Sequence, residues 1–391
     1  MIQFEEALDI ISSAATLLDT ENIRLEDSLD RILAADVFSD MDIPPFDKSA
    51  VDGYACRRQD LMLELKALEV IAAGKIPSKI ISQGECSKIM TGGMLPQGAD
   101  TVIMIEDVVV TGTHTIRFTG TGTAPNFCLR AEDLREGEKV LSQGTLIRPQ
   151  EIAVLASAGI AFPLVYRKPR IGIIATGDEL VEPDQKPSLS QIRNSNAWQL
   201  LAQAKRSGCL AQYFGIAGDN EEITLQLIEQ AVNQSDIVVL TGGISVGDFD
   251  FVPEVIQQAG FELKFRSLAV QPGKPVIFAT KKGKYLVALP GNPVSSFVQF
   301  EMLVRHLIRL ITGNSSELPS VKLPMGMDYI RKRSTRKTFF PVSLTPEGTT
   351  LPVDYHGSAH IHAYIHAQGI VTIQIGEQEI KKGTLVDVRL V

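Results

Sequence analysis

Between residues 169 and 311 short apolar runs alternate with stretches of helical periodicity, and this alternation constrains the fold more than any other feature. Runs at 171–175, 210–216, 237–240, 261–265, 276–279 and 285–289 read as strands, with Lys282-Gly283 joining the last two. Stretches at 195–207, 222–232 and 252–259 read as helices. A long helix is expected over 293–311, with Asn292 as its cap and Gly313 past its end. Strands alternating with helices fold as a mostly parallel sheet covered on both faces.

The flanking text has other rhythms. Apolar residues over 4–18 recur at three- and four-residue steps, which predicts a helix, and a second short helix is expected at 29–33. The sequence changes at Met41, where two prolines follow, and 46–139 reads as β-rich with a hairpin at Thr111-Gly112-Thr113. Pro149 opens a helix that Gly159 ends. From about Leu318 short alternating stretches predict a small β barrel or sandwich.

Open parallel sheets bind ligands at the carboxyl ends of their strands. The text there is Thr176-Gly177-Asp178-Glu179, Gly218-Asp219-Asn220, the 241–250 loop TGGISVGDFD and Pro290-Gly291-Asn292-Pro293, with Gln271-Pro272-Gly273-Lys274-Pro275 before another strand. Five such loops on one rim point to a ligand site. The glycines at 242, 243 and 247 let backbone N–H groups approach an anion. The loop is neither GxxxxGK[ST] nor GxGxxG. Asp178, Glu179, Asp219 and Asp250 would repel one another unless they hold a metal or share protons, and hard oxygen ligands beside phosphate suit Mg²⁺. Lys274, between a glycine and a proline, is aimed to meet an oxyanion.

Composition bounds the partners. Apolar residues are 44% and charged residues 21% of 391, as in soluble globular chains. The net charge of −8 argues against nucleic acid, and no apolar run reaches the length of a membrane span. The acidic start, MIQFEEALDI, reads as neither a signal nor a transit peptide. The four cysteines are widely spaced, so a cytoplasmic protein with reduced thiols is expected. Four of six histidines crowd into HGSAHIHAYIH at 356–366, where surface or interface roles are expected ahead of zinc.

The strings PPFDKSAVDGYA, TGGMLPQGADTVIMIED, RAEDLREGE, ATGDEL, TGGISVGDFDFV, QPGKP and LPGNPVS, in this order, resemble the MoeA family, the molybdopterin molybdenumtransferases, which includes the gephyrin E domain. The resemblance spans essentially the whole chain. It implies a multidomain α/β-plus-β fold: a dimerisation domain (1–45 and 140–168), an inserted β-rich domain (46–139), a MogA-like α/β domain with a mostly parallel sheet (169–318) and a C-terminal β barrel (319–391). It implies a homodimer whose site lies between the α/β domain of one subunit and the inserted domain of the other. The implied reaction takes adenylylated molybdopterin and molybdate to molybdenum cofactor and AMP, with Mg²⁺ or another divalent cation. A transient contact with the adenylyltransferase of the pathway is also implied.

The family's functional acids fall on Asp52, Asp133, Glu179, Asp219 and Asp250, and a functional threonine on Thr91. Glu179, Asp219 and Asp250 would handle the metal and pyrophosphate. Thr176, Gly177, Asp178, Gly242, Gly243, Ser245, Gly247, Lys274, Pro275, Pro290, Asn292, Ser295 and Ser358 would bind substrate. The chain departs from the family pattern at Ala131, Gln271, Pro341 and His362-Ala363, where members usually carry Gly, Lys, Arg and a serine pair; Arg336 stands near the missing arginine. A scaffold role on the same fold, or adenylyl transfer to molybdopterin, are the competing readings.

Overall fold

The computed structural model describes residues 1–244, 251–315 and 320–391. The chain forms two compact units. One comprises Met1–Ala35, Gln143–Arg148 and Pro163–Val391; the other comprises Asp36–Ser142 and Pro149–Phe162.

The larger unit holds a six-stranded sheet, ordered Leu210–Ala217, Arg170–Thr176, Ile237–Thr241, Lys284–Leu289, Pro275–Lys281, Glu262–Ser267. The first four strands are parallel, Pro275–Lys281 runs against them, and Glu262–Ser267 pairs antiparallel with it at the edge. Its central strands are apolar through their middles, at Ile171–Ala175, Ile237–Leu240 and Leu286–Leu289, because both faces are covered. Ile171, Ile173 and Ala175 pack with Ala197, Leu200 and Val298 on one face, and Ile174, Val238 and Leu240 with Ile228, Val252 and Val255 on the other. The Lys282-Gly283 turn has φ of 45° and 75°, the paired positive values that a two-residue hairpin requires.

Three expected helices change. The first spans Phe4–Ala14, four residues short of the expected end. The expected helix at 29–33 is absent: Ile32 bridges Leu146 and Leu33 bridges Val165, so distant strand partners override local periodicity. The helix expected over 293–311 is interrupted. Pro293–Gln299 and Arg305–Ile311 are α-helical, and Phe300–Val304 forms a wider π turn. Within this turn Glu301 is fully buried and its carbonyl accepts from the Arg389 guanidinium. Asn292 precedes this helix without making a side-chain cap bond.

The C-terminal strands form a second six-stranded sheet, with the path Val270–Gln271, Lys337–Leu344, Gly369–Ile373, Leu385–Leu390, Ser320–Pro324 and with Thr350–Pro352 beside Lys337–Leu344. Phe340, Val342, Val371 and Val388 fill its core, and Tyr329 stacks on Phe340 at 3.8 Å. Its first strand comes from the text of the α/β region, just before Lys274.

In the smaller unit a six-stranded sheet runs Thr101–Met104, Gly53–Cys56, Glu85–Ile89, Glu64–Ile71, Thr115–Phe118, Val108–Val110. Gly53 is required there: a Cβ would lie 2.0 Å from the carbonyl oxygen of Ile103. Helix Pro149–Ser157 ends at Gly159, with φ of 78°.

Candidate active site

In the larger unit the rim is built by strand ends. Thr176 is buried at the end of its strand, and its hydroxyl donates to the carbonyl of Thr241 at 3.4 Å. Thr241 donates to the carbonyl of Pro290 at 3.2 Å, and the Gly242 N–H donates to Leu289 at 3.1 Å. Gly242 and Gly243 have φ of 100° and 63°. A Cβ on Gly242 would lie 2.4 Å from the Thr176 carbonyl oxygen, and one on Gly243 would lie 2.7 Å from Val252. Only glycine fits both the conformation and the space.

Gly177 is equally constrained. Its N–H donates to Ala217, its φ is 136°, and a Cβ would meet Glu179 Oε2 at 2.2 Å. The Glu179 carboxylate therefore lies over the Gly177 backbone while remaining exposed. Asp178 Oδ1 accepts from the Asp219 N–H at 2.9 Å and ties two rim loops together. Asn220, not Asp219, caps the next helix: its side chain accepts from the Ile223 N–H at 2.9 Å. The exposed carboxylate of Asp219 is thus not engaged as the cap. Ser245, Gly247 and Asp250 lie outside the described residues.

The QPGKP and LPGNP loops complete the rim. Gly273, with φ of 91°, packs against Gln299, whose amide donates to Pro272 at 2.8 Å. Lys274 is exposed, and its backbone carbonyl accepts from Leu268 at 2.8 Å. Pro275 opens a strand, Ser295 is buried in the first turn of its helix and Asn292 is exposed. Ser358 meets this helix through its carbonyl, which accepts from the Val294 N–H at 3.0 Å.

Near Gln271 lies a cleft of about 890 Å³, lined also by Arg331, Arg333, Arg336, Tyr355 and Gly357. The Arg331 guanidinium is consumed there: it donates to Glu377 at 2.7 Å, to the Arg336 carbonyl at 2.6 Å, to Thr338 at 2.7 Å and to Gln374. Arg336 reaches the carbonyl of Val270 at 3.4 Å. Pro341 is buried within its strand. His356 and His360 stack at 5.2 Å, with the His356 N–H on His360 Nδ1 at 3.2 Å. His362 and His366 sit on the short 3₁₀ helix Ile361–His366.

Sequence reasoning missed Asn196. Its Nδ2 bridges Thr241 Oγ1 at 3.0 Å and the Gly291 carbonyl at 2.7 Å, joining two rim loops, and its Oδ1 is buried with no partner among the described residues. The available signal was a polar side chain at the start of a helix that follows a rim loop.

In the smaller unit Asp52 and Thr91 are joined directly. Asp52 Oδ1 accepts from the Thr91 N–H at 2.6 Å and from its hydroxyl at 2.7 Å. These donors, the backbone first, hold the Asp52 carboxyl below the ordinary aspartate range. Asp133 stands exposed on another loop, fixed by its N–H on the Ile43 carbonyl at 2.9 Å. The preceding Ala131 has φ of 59°, the conformation that favours glycine.

Comparison with known proteins matches these parts in order. The MoeA N-terminal region (domain I and II) matches residues 2–159, a probable molybdopterin binding domain matches 172–310, and the MoeA C-terminal region (domain IV) matches 326–391. The molybdopterin molybdenumtransferase of Staphylococcus epidermidis is 34% identical over 400 residues, covering all of this chain and 95% of that protein. This chain belongs to the MoeA family of molybdopterin molybdenumtransferases. The Staphylococcus aureus relative is also 34% identical with the same coverage. A MoeA crystal structure from Pyrococcus horikoshii superimposes with a TM-score of 0.87 at 28% identity, covering all of both chains. No helix among the described residues is long and apolar enough to cross a membrane.

Proposed function

We propose that this MoeA-family chain inserts molybdenum, converting adenylylated molybdopterin and molybdate into molybdenum cofactor and AMP. The observation that carries the reading is the rim, where Gly242 and Gly243 close on Thr176 and let a phosphate approach the backbone beside the exposed Glu179 and Asp219. The glycine loop holds the substrate's phosphate end, and Asn196 ties that loop to the Gly291 turn beside it. Asp178 fixes the loop that carries Asp219.

The donor set fits a magnesium ion. Among the described residues no group of three or more His, Cys, Asp or Glu is placed to hold a metal. Magnesium, however, needs only one or two carboxylates together with substrate phosphates. Glu179 and Asp219, with Asp250, would hold it, and it would neutralise charge on the phosphoanhydride oxygens. Lys274 and Arg336 draw molybdate by charge, Arg336 in place of the family arginine that Pro341 replaces. Asp52, Thr91 and Asp133 serve the same reaction within a homodimer, with the Thr91 donors keeping Asp52 ionised. The experiment is molybdenum insertion in vitro by Asp219→Ala and Asp250→Ala variants. Both are expected to lose insertion and keep the wild-type melting temperature. Full insertion by both would overturn the metal assignment.

A further inference from the structure

We infer a second anion site: a basic hollow at the amino-terminal end of the parallel sheet, which takes a small ligand bearing two or more phosphate or related oxyanion charges. The hollow is about 440 Å³, a size usual for small-ligand pockets. It opens beside Pro169, where strand Arg170–Thr176 begins. At about 3.3 Å per residue, that strand sets it roughly 20 Å from the rim.

The lining is organised around charge. Arg206 and Arg305 share one carboxylate, Glu301, which is fully buried beneath them. Arg206 Nη2 lies 3.0 Å from Oε1 and Arg305 Nη1 lies 2.9 Å from Oε2. Gln203 Nε2 adds a third donor at 2.8 Å. One carboxylate thus orients two guanidiniums and neutralises only one, and each fork keeps N–H groups for another acceptor. Lys168 and Lys205 stand exposed at the edge. Arg31 and Arg167 also line the hollow, but Glu21 satisfies the first and Asp236 meets the second with both oxygens. Among the described residues Asp30 is the acidic side chain of the lining. Among the described residues a surplus of positive charge remains after these pairs, within a chain of net charge −8.

Helix ends explain part of this and not the rest. Lys205 and Arg206 occupy the last turn of helix Asn196–Arg206, where cations offset the helix dipole. Lys168 precedes a strand and has no such role, and Glu301 gathers a guanidinium from each of two helices. Cations held this close repel one another, and a multivalent anion relieves that repulsion. The small volume of the hollow and the acidity of the chain favour a small phosphorylated molecule over a nucleic acid.

Site-specific lysine acylation of the full-length protein tests this, with inorganic pyrophosphate as the probe. Pyrophosphate is expected to protect Lys168 and Lys205 and to leave the exposed Lys75 unchanged. The K168A/K205A variant is expected to bind pyrophosphate at least tenfold more weakly and to insert molybdenum at the wild-type rate. Protection by ADP at lower concentration than pyrophosphate would assign a nucleotide ligand, while equal protection would assign the phosphate group alone. Unchanged labelling of Lys168 and Lys205, an unchanged affinity in the double variant, or equal protection by adenosine would overturn the site.

Discussion

Thr176 and Gly242 sit at the ends of two strands of a buried parallel sheet, whereas Asp52 and Thr91 face solvent from loops of a different sheet. Both regions place charge and hydrogen-bond donors together, and they differ in what holds them. Backbone packing fixes the rim, since glycine Cβ atoms would strike neighbouring carbonyls and side chains. Two hydrogen bonds to one carboxylate oxygen fix the loop pair. A change at the rim should therefore damage folding first, and a change at the pair should damage chemistry first.

The largest expected effect lies at the rim. Gly242→Ala combines a positive φ with a Cβ 2.4 Å from a carbonyl oxygen, and should cost about 3 kcal/mol of stability. Denaturant unfolding measures it, and a loss below about 1 kcal/mol would dissolve the contrast between the regions. Asp52→Asn should instead lower insertion on the order of 100-fold, the scale of one lost charged contact in a site. Its melting temperature should fall far less than that of Gly242→Ala. Thermal unfolding of both variants and an insertion assay check this together.

The pair can be dissected by pH. Asp52 is held below its ordinary value, so its contacts contribute above the unfolded pKa and are lost as pH falls through the folded one. Thr91→Val removes the hydroxyl donor and keeps the backbone donor. It should raise the Asp52 pKa part of the way toward the ordinary value in an NMR titration, because the backbone bond is the larger cause. An unchanged titration would show that the hydroxyl contributes nothing. The smallest effect concerns Ala131: replacing it by glycine relieves a φ of 59° and should stabilise by about 0.5–1 kcal/mol, seen as a shifted denaturant midpoint.

The same contrast governs what could be read in the sequence. Lys282-Gly283 announced its hairpin and the Gly-rich loops announced the rim, because both are local statements about φ and chain direction. The parallel core was legible because a strand buried on both faces must be apolar throughout. Residues 29–33 misled because their pairing partners lie more than a hundred residues away. Nothing local marks Val270–Gln271 as the first strand of the C-terminal sheet. The π turn at Phe300–Val304 meets Arg389, almost ninety residues on, a contact that no local pattern announces. Asn196 was missed because its importance lies in the loops it joins, not in its own segment. Conversely, the family's glycine at the position of Ala131 becomes intelligible once that residue's positive φ is known.

The insertase reading stands or falls on whether release of AMP requires the oxyanion. Incubating the full chain with adenylylated molybdopterin and Mg²⁺, with and without molybdate, measures this directly. Release of AMP that depends on molybdate is the predicted result. Release at the same rate without molybdate, or consumption of ATP with molybdopterin, would contradict it.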